Sequence, residues 1–307
     1  MLQTNRKGNW FEITIPKKWE NLTVENLFLD VWNCPKKITH LFRMGQKVLL
    51  NGKPANWRHP FEKGAKLSLE LFSEEKSDVP SAYLEVPVLY EDDHLIIFNK
   101  PPFMTTHPND MALETNTLLN AAVFHMQANG ETGAIRHIHR LDRDTSGAIL
   151  FVKHSFAGSL LDQMLKQRKI KRTYVAIVHG IMAAQNGIIS EPIGRDRHHA
   201  TRRRISPTGQ EAITHYQVIK EDPTHQLTYV KCWLETGRTH QIRVHFSSLG
   251  HPLAGDLLYG GKAIFPRQAL HAAKLEFTHP LTEEQIVSHA PFIDSPPIFK
   301  GIDIRAL

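Results

Sequence analysis

Residues 137–153 read His-Ile-His-Arg-Leu-Asp-Arg-Asp-Thr-Ser-Gly-Ala-Ile-Leu-Phe-Val-Lys, and no other stretch limits the fold as tightly. The apolar run 148–152 is too short for a helix core and is rich in branched and aromatic residues, the pattern of a strand buried on both faces. Thr145-Ser146-Gly147 ahead of it reads as a tight turn. Asp142 is therefore expected on a loop that feeds a rigid interior strand. Arg140, Arg143 and His139 are its neighbours, and a carboxylate placed among cations suits a nucleophile or a general base. The same residues also suit a salt-bridged turn. Asp144 competes for the role, and spacing does not choose between the two. His137, His139 and Asp142 can also be read as metal ligands of a hydrolase, although a matching third and fourth ligand are not apparent. A non-catalytic RNA-binding module is the remaining reading.

With 307 residues, the chain has room for one large domain and a small one. Its net charge of +6 favours an anionic partner such as nucleic acid. Cys34 and Cys232 lie far apart without CxxC spacing, which argues for a reducing compartment and against a disulfide framework or a cysteine-rich zinc site. Residues 1–16 have no apolar core and include Glu12, so neither a secretory nor a transit peptide is expected. No apolar run approaches the roughly eighteen residues of a membrane span. A cytoplasmic location is the expectation. Internal repeats and phosphate-cradling glycine motifs are not evident.

Along the chain, Phe11, Ile13 and Ile15 alternate as a strand closed by Pro16. Val24, Leu27, Phe28, Val31 and Trp32 fall at helical spacing behind Thr23 as N-cap. Pro35 opens a second helix with Ile38, Leu41 and Phe42 on one face. Asn51-Gly52 marks a hairpin, and a closing strand carries Leu67, Leu69 and Leu71. Two helices followed by a hairpin resemble the S4 RNA-binding domain, whose basic face Lys36, Lys37, His40, Arg43 and Lys47 would supply. The Ser/Thr-Arg that usually opens the second helix of that domain is replaced here by Cys34-Pro35-Lys36-Lys37. The expected organisation is an N-terminal strand or extension at 1–17, an S4-like domain at 18–72, a linker at 73–83 and a catalytic domain at 84–307.

In the larger part, residues 86–90 and 95–98 flank Glu91-Asp92-Asp93 as a hairpin. Leu118, Leu119, Ala122, Val123 and Met126 mark one helix, and Phe156, Leu160, Leu161, Met164 and Leu165 another, with Ser155 near its start. Residues 174–178, 212–218 and 227–234 read as strands. Ile242, Phe246 and Leu249 suit a helix stopped at Gly250. Two basic clusters stand out. One is Lys166, Arg168, Lys169, Lys171 and Arg172. The other is Arg195, Arg197, Arg202, Arg203 and Arg204, in a loop before Gly209. Phosphate contact is expected of at least one.

Three separated stretches carry a family resemblance. His139-Arg140-Leu141-Asp142-Arg143-Asp144-Thr145-Ser146-Gly147 resembles the signature of the RluA-type pseudouridine synthases. Asn99-Lys100-Pro101-Pro102, followed by His107-Pro108, resembles that family's first motif, and Leu234-Glu235-Thr236-Gly237-Arg238-Thr239-His240-Gln241-Ile242-Arg243-Val244-His245 its third. The resemblance covers about residues 84–295. It implies an α+β fold with a mixed, largely antiparallel sheet and a central catalytic cleft. It implies an isomerase that detaches uracil from C1′ of ribose at N1, turns it and rejoins it through C5, in ribosomal or transfer RNA, with no cofactor or metal. A monomer without an obligate protein partner or membrane is expected. By the resemblance, Asp142 is the catalytic carboxylate, attacking C1′, attacking C6 of the base or taking a ribose proton. Arg243 pairs with it, and Tyr174 stacks on uracil and accepts the C5 proton. Arg140 fills the space left by a flipped base. Arg238 and His240 orient Arg243 or contact RNA, and Lys100 touches phosphate or braces its strand end. A catalytically silent RNA-binding paralogue is the alternative, against which an intact Asp142, Tyr174 and Arg243 argue, with the metal-dependent hydrolase third.

Overall fold

The apolar run at 148–152 lies within the strand Ser146–Val152, buried along its whole length. The computed structural model describes residues 2–74, 78–110 and 113–307. On one side of this strand runs Leu95–Lys100, antiparallel, in register from Leu95↔Val152 to Lys100↔Gly147. On the other runs Leu270–Thr278, through His271↔Ser146 and Ala272↔Gly147, the one parallel pairing among the described strands. Gly147 makes that seam possible. Its φ is +114°, and a Cβ there would lie 2.2 Å from the Ala272 carbonyl oxygen, a position open only to glycine.

The full sheet runs Asn186–Ser190, Ile213–Asp222, Leu227–Leu234, Lys171–His179, Leu270–Thr278, Ser146–Val152, Leu95–Lys100, Val88–Glu91. Gln285–His289 pairs with Leu270–Thr278, and Arg136–His137 with Ser146–Val152. Period-two alternation sends the central strand's side chains to both faces. Ile149 and Phe151 join a cluster with Leu118, Val123 and Met126 of the helix Leu118–Ala128 and with Ile242 and Phe246 of the helix Gln241–Ser248. Ala148, Leu150 and Val152 join Ala157 and Leu161 of the helix Ser155–Lys166. That helix opens at Ser155, as expected, and is capped by His154, whose Nδ1 accepts the Ala157 N–H. The second basic cluster, expected in a loop, instead spans a short hairpin, Ile193–Arg195 with Arg203–Ile205, with Arg195, Arg203 and Arg204 in its strands. Among the described residues no helix is long and apolar enough to cross a membrane.

The small domain is a five-stranded sheet ordered Thr4–Lys7, Trp10–Thr14, Lys66–Glu70, Val48–Leu50, Lys53–Pro54. Asn51 and Gly52 take φ of 51° and 78°, the two-residue turn expected of that pair. Thr23 and Asn26 cap each other reciprocally. Trp10–Thr14, assigned from sequence to a separate extension at 1–17, pairs residue by residue with Lys66–Glu70 and so belongs to this sheet; Met1 lies outside the described residues. Leu41, expected on the apolar face of the helix Lys36–Met44, is 53% exposed. The buried stripe is Thr39 and Phe42, and Leu41 lies about 100° round the helix from Phe42. The small domain's core is completed by Phe156, Leu160 and Leu281 from the larger part, with Phe156 4.8 Å from Phe42. Of the expected linker, residues 75–77 lie outside the described residues. Its later part hugs the helix Leu118–Ala128, where the Pro80 carbonyl accepts the Asn120 side chain at 2.7 Å.

Several buried histidines make the fold acid-sensitive. Burial foremost pushes His139 and His154 down to about 3 and His271 to about 4. The unfolded chain binds their protons near the ordinary value of about 6.5. Below that pH the unfolded state therefore holds more protons, so stability falls as pH drops from about 6.5 towards 4. Each histidine is expected to cost about 2 kcal/mol by about pH 5. Urea unfolding at about pH 7.5 and about pH 5 should show this as a lower midpoint; equal midpoints would contradict it.

Candidate active site

The loop bearing Asp142 is held from three directions. Thr106 Oγ1 donates to the Leu141 carbonyl at 3.0 Å and accepts the Leu141 N–H at 3.2 Å. Arg267, anchored by Asp294, donates to the Asp144 carbonyl at 3.0 Å and to Ser146 Oγ at 2.8 Å. Lys100, with no exposed surface, donates to the carbonyls of Pro101, Met104 and Arg143 at 2.8, 2.7 and 3.0 Å. Burial, then the Arg267 charge, pushes its pKa down to about 7, with Asp142 and Asp144 opposing. Of the two roles expected for Lys100, this geometry serves the brace: the ammonium is enclosed and its donors are spent, so it offers no phosphate contact. Lys100→Met should therefore slow turnover by about tenfold or more through a loosened loop, leaving RNA affinity and its salt dependence within about twofold. Loss of affinity with unchanged turnover would reverse that reading.

At the loop's tip Asp142 faces the helix Gln241–Ser248, which presents Arg243. Arg243 Nη1 donates to Asp142 Oδ2 at 3.0 Å. Its other side is clamped by Asp256, Nε to Oδ2 at 2.7 Å and Nη2 to Oδ1 at 2.9 Å. Burial opposes the charge on Arg243, but the hydrogen bonds to Asp256 and the charge of Asp142 outweigh it and hold its pKa above the ordinary arginine value. A bidentate clamp on one carboxylate fixes the plane of the guanidinium and so the position of the donor given to the other. The Tyr259 ring lies 4.9 Å from the same guanidinium.

His240 stands beside this pair. Its φ of 58° places a non-glycine residue in the left-handed region just before the helix. The Arg203 N–H donates to Tyr259 Oη at 2.8 Å, and Tyr259 Oη lies 2.8 Å from His240 Nδ1. His240 Nε2, on the other side of the ring, lies 3.9 Å from Asp142 Oδ2. Burial foremost lowers the His240 pKa, with Asp142 opposing.

Asp142, His240 and Arg243 line a cleft of about 1380 Å³ together with Tyr174, Arg140, Arg238, His107, His137, Arg168 and Arg172. Tyr174 is buried, and burial foremost raises its phenol pKa, opposed by Arg172 and reinforced by Asp142. Arg140 is exposed at the rim. Arg238 donates Nε to the Glu211 carbonyl at 2.8 Å. Asp144, the rival carboxylate, pairs with Arg143 at 2.9 Å. The metal reading finds no geometry: His139 Nε2 accepts the Leu150 N–H, the His137 ring stacks on His107 at 4.8 Å, and among the described residues no three His, Cys, Asp or Glu side chains are grouped to hold an ion. Of the expected basic face on the small domain, Lys36, Lys37 and His40 are exposed, Arg43 binds Glu25 at 2.6 Å and Lys47 lies 3.6 Å from Glu70. Sequence reasoning assigned no role to Asp256, Tyr259, Thr106 or Arg267. Nothing local marks Asp256 as the partner of Arg243, 13 residues away.

A family model described as RNA pseudouridylate synthase matches residues 94–248, and one described as RluD ribosomal pseudouridine synthase N-terminal domain matches residues 11–67. The RNA pseudouridine synthase YhcT of Bacillus subtilis is 45% identical over 289 residues, covering 94% of this chain and 95% of that protein. The ribosomal large subunit pseudouridine synthase D of Vibrio cholerae is 42% identical over 226 residues, 69% of this chain and 68% of that protein. Among solved structures, human RNA pseudouridylate synthase domain containing 1 superposes with a TM-score of 0.56 at 26% identity, over 70% of this chain and 88% of that one.

Proposed function

This chain belongs to the RNA pseudouridylate synthase family, and from that premise we propose that Asp142 is the carboxylate with which it converts uridine to pseudouridine. The enzyme is an isomerase acting on RNA. The observation that carries the assignment is the 3.0 Å ion pair of Arg243 with Asp142, inside a cleft that Tyr174 also lines.

The chemistry follows from the parts. A uridine stacked in RNA cannot reach Asp142, so it is flipped into the cleft, and Arg140, exposed at the rim, stacks in the space it leaves. Asp142, oriented by Arg243 and indirectly by Asp256, initiates cleavage of the N1–C1′ bond. The freed base turns within the cleft and C5 bonds to C1′. The buried phenol of Tyr174 receives the C5 proton, and ring aromaticity returns. Lys36, Lys37 and His40 of the small domain meet RNA phosphates away from the cleft.

The relatives named for the ribosomal large subunit support large-subunit ribosomal RNA as the substrate, and hence action in the cytoplasm. Pseudouridine mapping of total RNA from cells with and without the protein tests this. The expected result is loss of signal at a small set of uridines in large-subunit RNA. Loss confined to transfer RNA would redirect the substrate, and no loss anywhere would overturn the assignment.

A further inference from the structure

Arg172 is a buried cation without an anion. It lies on the strand Lys171–His179, two residues before Tyr174, and both side chains line the cleft. It is 7% exposed. Its Nε is buried with no hydrogen-bond partner, and its Nη2 has one long contact, 3.4 Å to the Thr236 carbonyl. Among the described residues no carboxylate pairs with it, whereas neighbouring Arg168 binds Glu235 and Arg243 binds two carboxylates. Space for the guanidinium is kept by Gly237, where a Cβ would lie 2.8 Å from Arg172 Nη1. Burying an unpaired charge is costly, and a fold that retains one in a cleft has an electrostatic vacancy that an anionic ligand group completes.

We propose that Arg172 is a further catalytic residue, one that takes the negative charge developing on a uracil carbonyl oxygen as the N1–C1′ bond breaks. This rests on the reading of the cleft given above. Whether Asp142 attacks C1′ or takes a ribose proton, the electron pair of that bond stays with the ring, and resonance places it on O2 and O4. At C1′ the loss is made good by the Asp142 oxygen or by departure of a ribose proton to Asp142. The pair returns to carbon when C5–C1′ forms, as the Asp142–C1′ bond breaks or Asp142 gives back the ribose proton, and the C5 proton then leaves to Tyr174. A fixed donor in a dry site is worth most where such charge appears. Depth separates this role from backbone contact. Arg172 sits enclosed beside the tyrosine proposed to stack on the base, whereas the exposed Arg140 at the rim is placed for the strand. Its nearness to Tyr174 is also felt electrostatically, since it opposes the rise in that phenol's pKa.

The test uses the full-length protein and a transcript carrying the mapped uridine. Three quantities are read: glycosidic cleavage in a single turnover at saturating RNA, RNA affinity against salt, and the Tm of the free protein. Arg172→Met should slow cleavage by about 10²–10³-fold and leave affinity and salt slope within about twofold. It should raise Tm, because an unpaired buried charge is removed. Arg172→Lys should recover part of the rate, and Gly237→Ala, which displaces the guanidinium without removing it, should slow cleavage by about tenfold. Weaker binding with a salt slope reduced by about one and normal cleavage would make Arg172 a phosphate contact instead. A lower Tm with normal cleavage would make it structural. Asp142→Asn is measured alongside. If it too cleaves normally, the site itself is misread; if it is inactive while Arg172→Met is not, only this inference fails.

Discussion

Asp142→Asn is expected to reduce pseudouridine formation by on the order of 10⁴-fold or more while leaving the fold and RNA affinity in place. Asparagine keeps the size of the side chain and an oxygen for Arg243 Nη1, but it loses the charge and the nucleophilic, basic carboxylate. The site should not collapse around it, because Arg243 remains held by Asp256 at 2.7 and 2.9 Å and the loop by Thr106, Lys100 and Arg267. Asp144→Asn is the control. Its side chain pairs with Arg143, and the loop is held through its backbone carbonyl, which the substitution leaves alone. Near wild-type turnover is expected. If Asp144→Asn is dead and Asp142→Asn turns over normally, the assignment is wrong. Exhaustive chelation should leave the wild-type rate unchanged, and a stoichiometric zinc requirement would restore the hydrolase reading.

Tyr174→Phe should separate the late step from the early ones. The substitution removes one oxygen and keeps the ring, which packs in a cluster with Leu141, Ile242 and Ala272. The expected variant binds RNA and cleaves the N1–C1′ bond, but it accumulates the C-linked intermediate whose C5 still carries hydrogen. Burial, with Asp142, raises the phenol's pKa, so the phenol is protonated at neutral pH and accepts the C5 proton only while passing its own to cleft water. A phenyl ring can do neither. Single-turnover kinetics on RNA tritiated at uracil C5, with glycosidic cleavage followed separately, should show tritium release lagging by about 10²-fold or more. If cleavage and release fall together to nothing, Tyr174 acts earlier. If neither falls, it only stacks.

These experiments bear on residues that differ in how visible they were before the fold was known. Asp142 and Arg243 stand in motifs, Tyr174 was reached only through the family resemblance, and the structure gathers all three at one cleft. Lys100 also stands in a motif, yet its role could not be read there: its acceptors include the Arg143 carbonyl, 43 residues away. Arg172 looked like one charge in a basic run. Four of that run's residues are ordinary surface candidates by sequence, and only the enclosure beneath Gly237 and Thr236 distinguishes the fifth. The ion pairs on the small domain were hidden for a related reason. Arg43 and Lys47 sit at the expected spacing, and folding brings Glu25 and Glu70 beside them.

Features decided by interactions within one turn or one strand were legible in the chain. Asn51-Gly52 sets its own dihedrals, Thr23 caps the residues directly after it, and the apolar run at 148–152 has no environment but a sheet interior. Their causes are steric and lie within a few bonds. Features decided by which strand lies beside which were not. The parallel seam at Gly147, the clamp of Asp256 on Arg243 and the unpaired charge of Arg172 arise when the sheet aligns segments more than a hundred residues apart, or when a helix and a turn close over the cleft. Burial then fixes the meaning of each charge, because in a dry site a carboxylate or guanidinium is defined by the partner it meets, and that partner is chosen by the packing of the whole sheet.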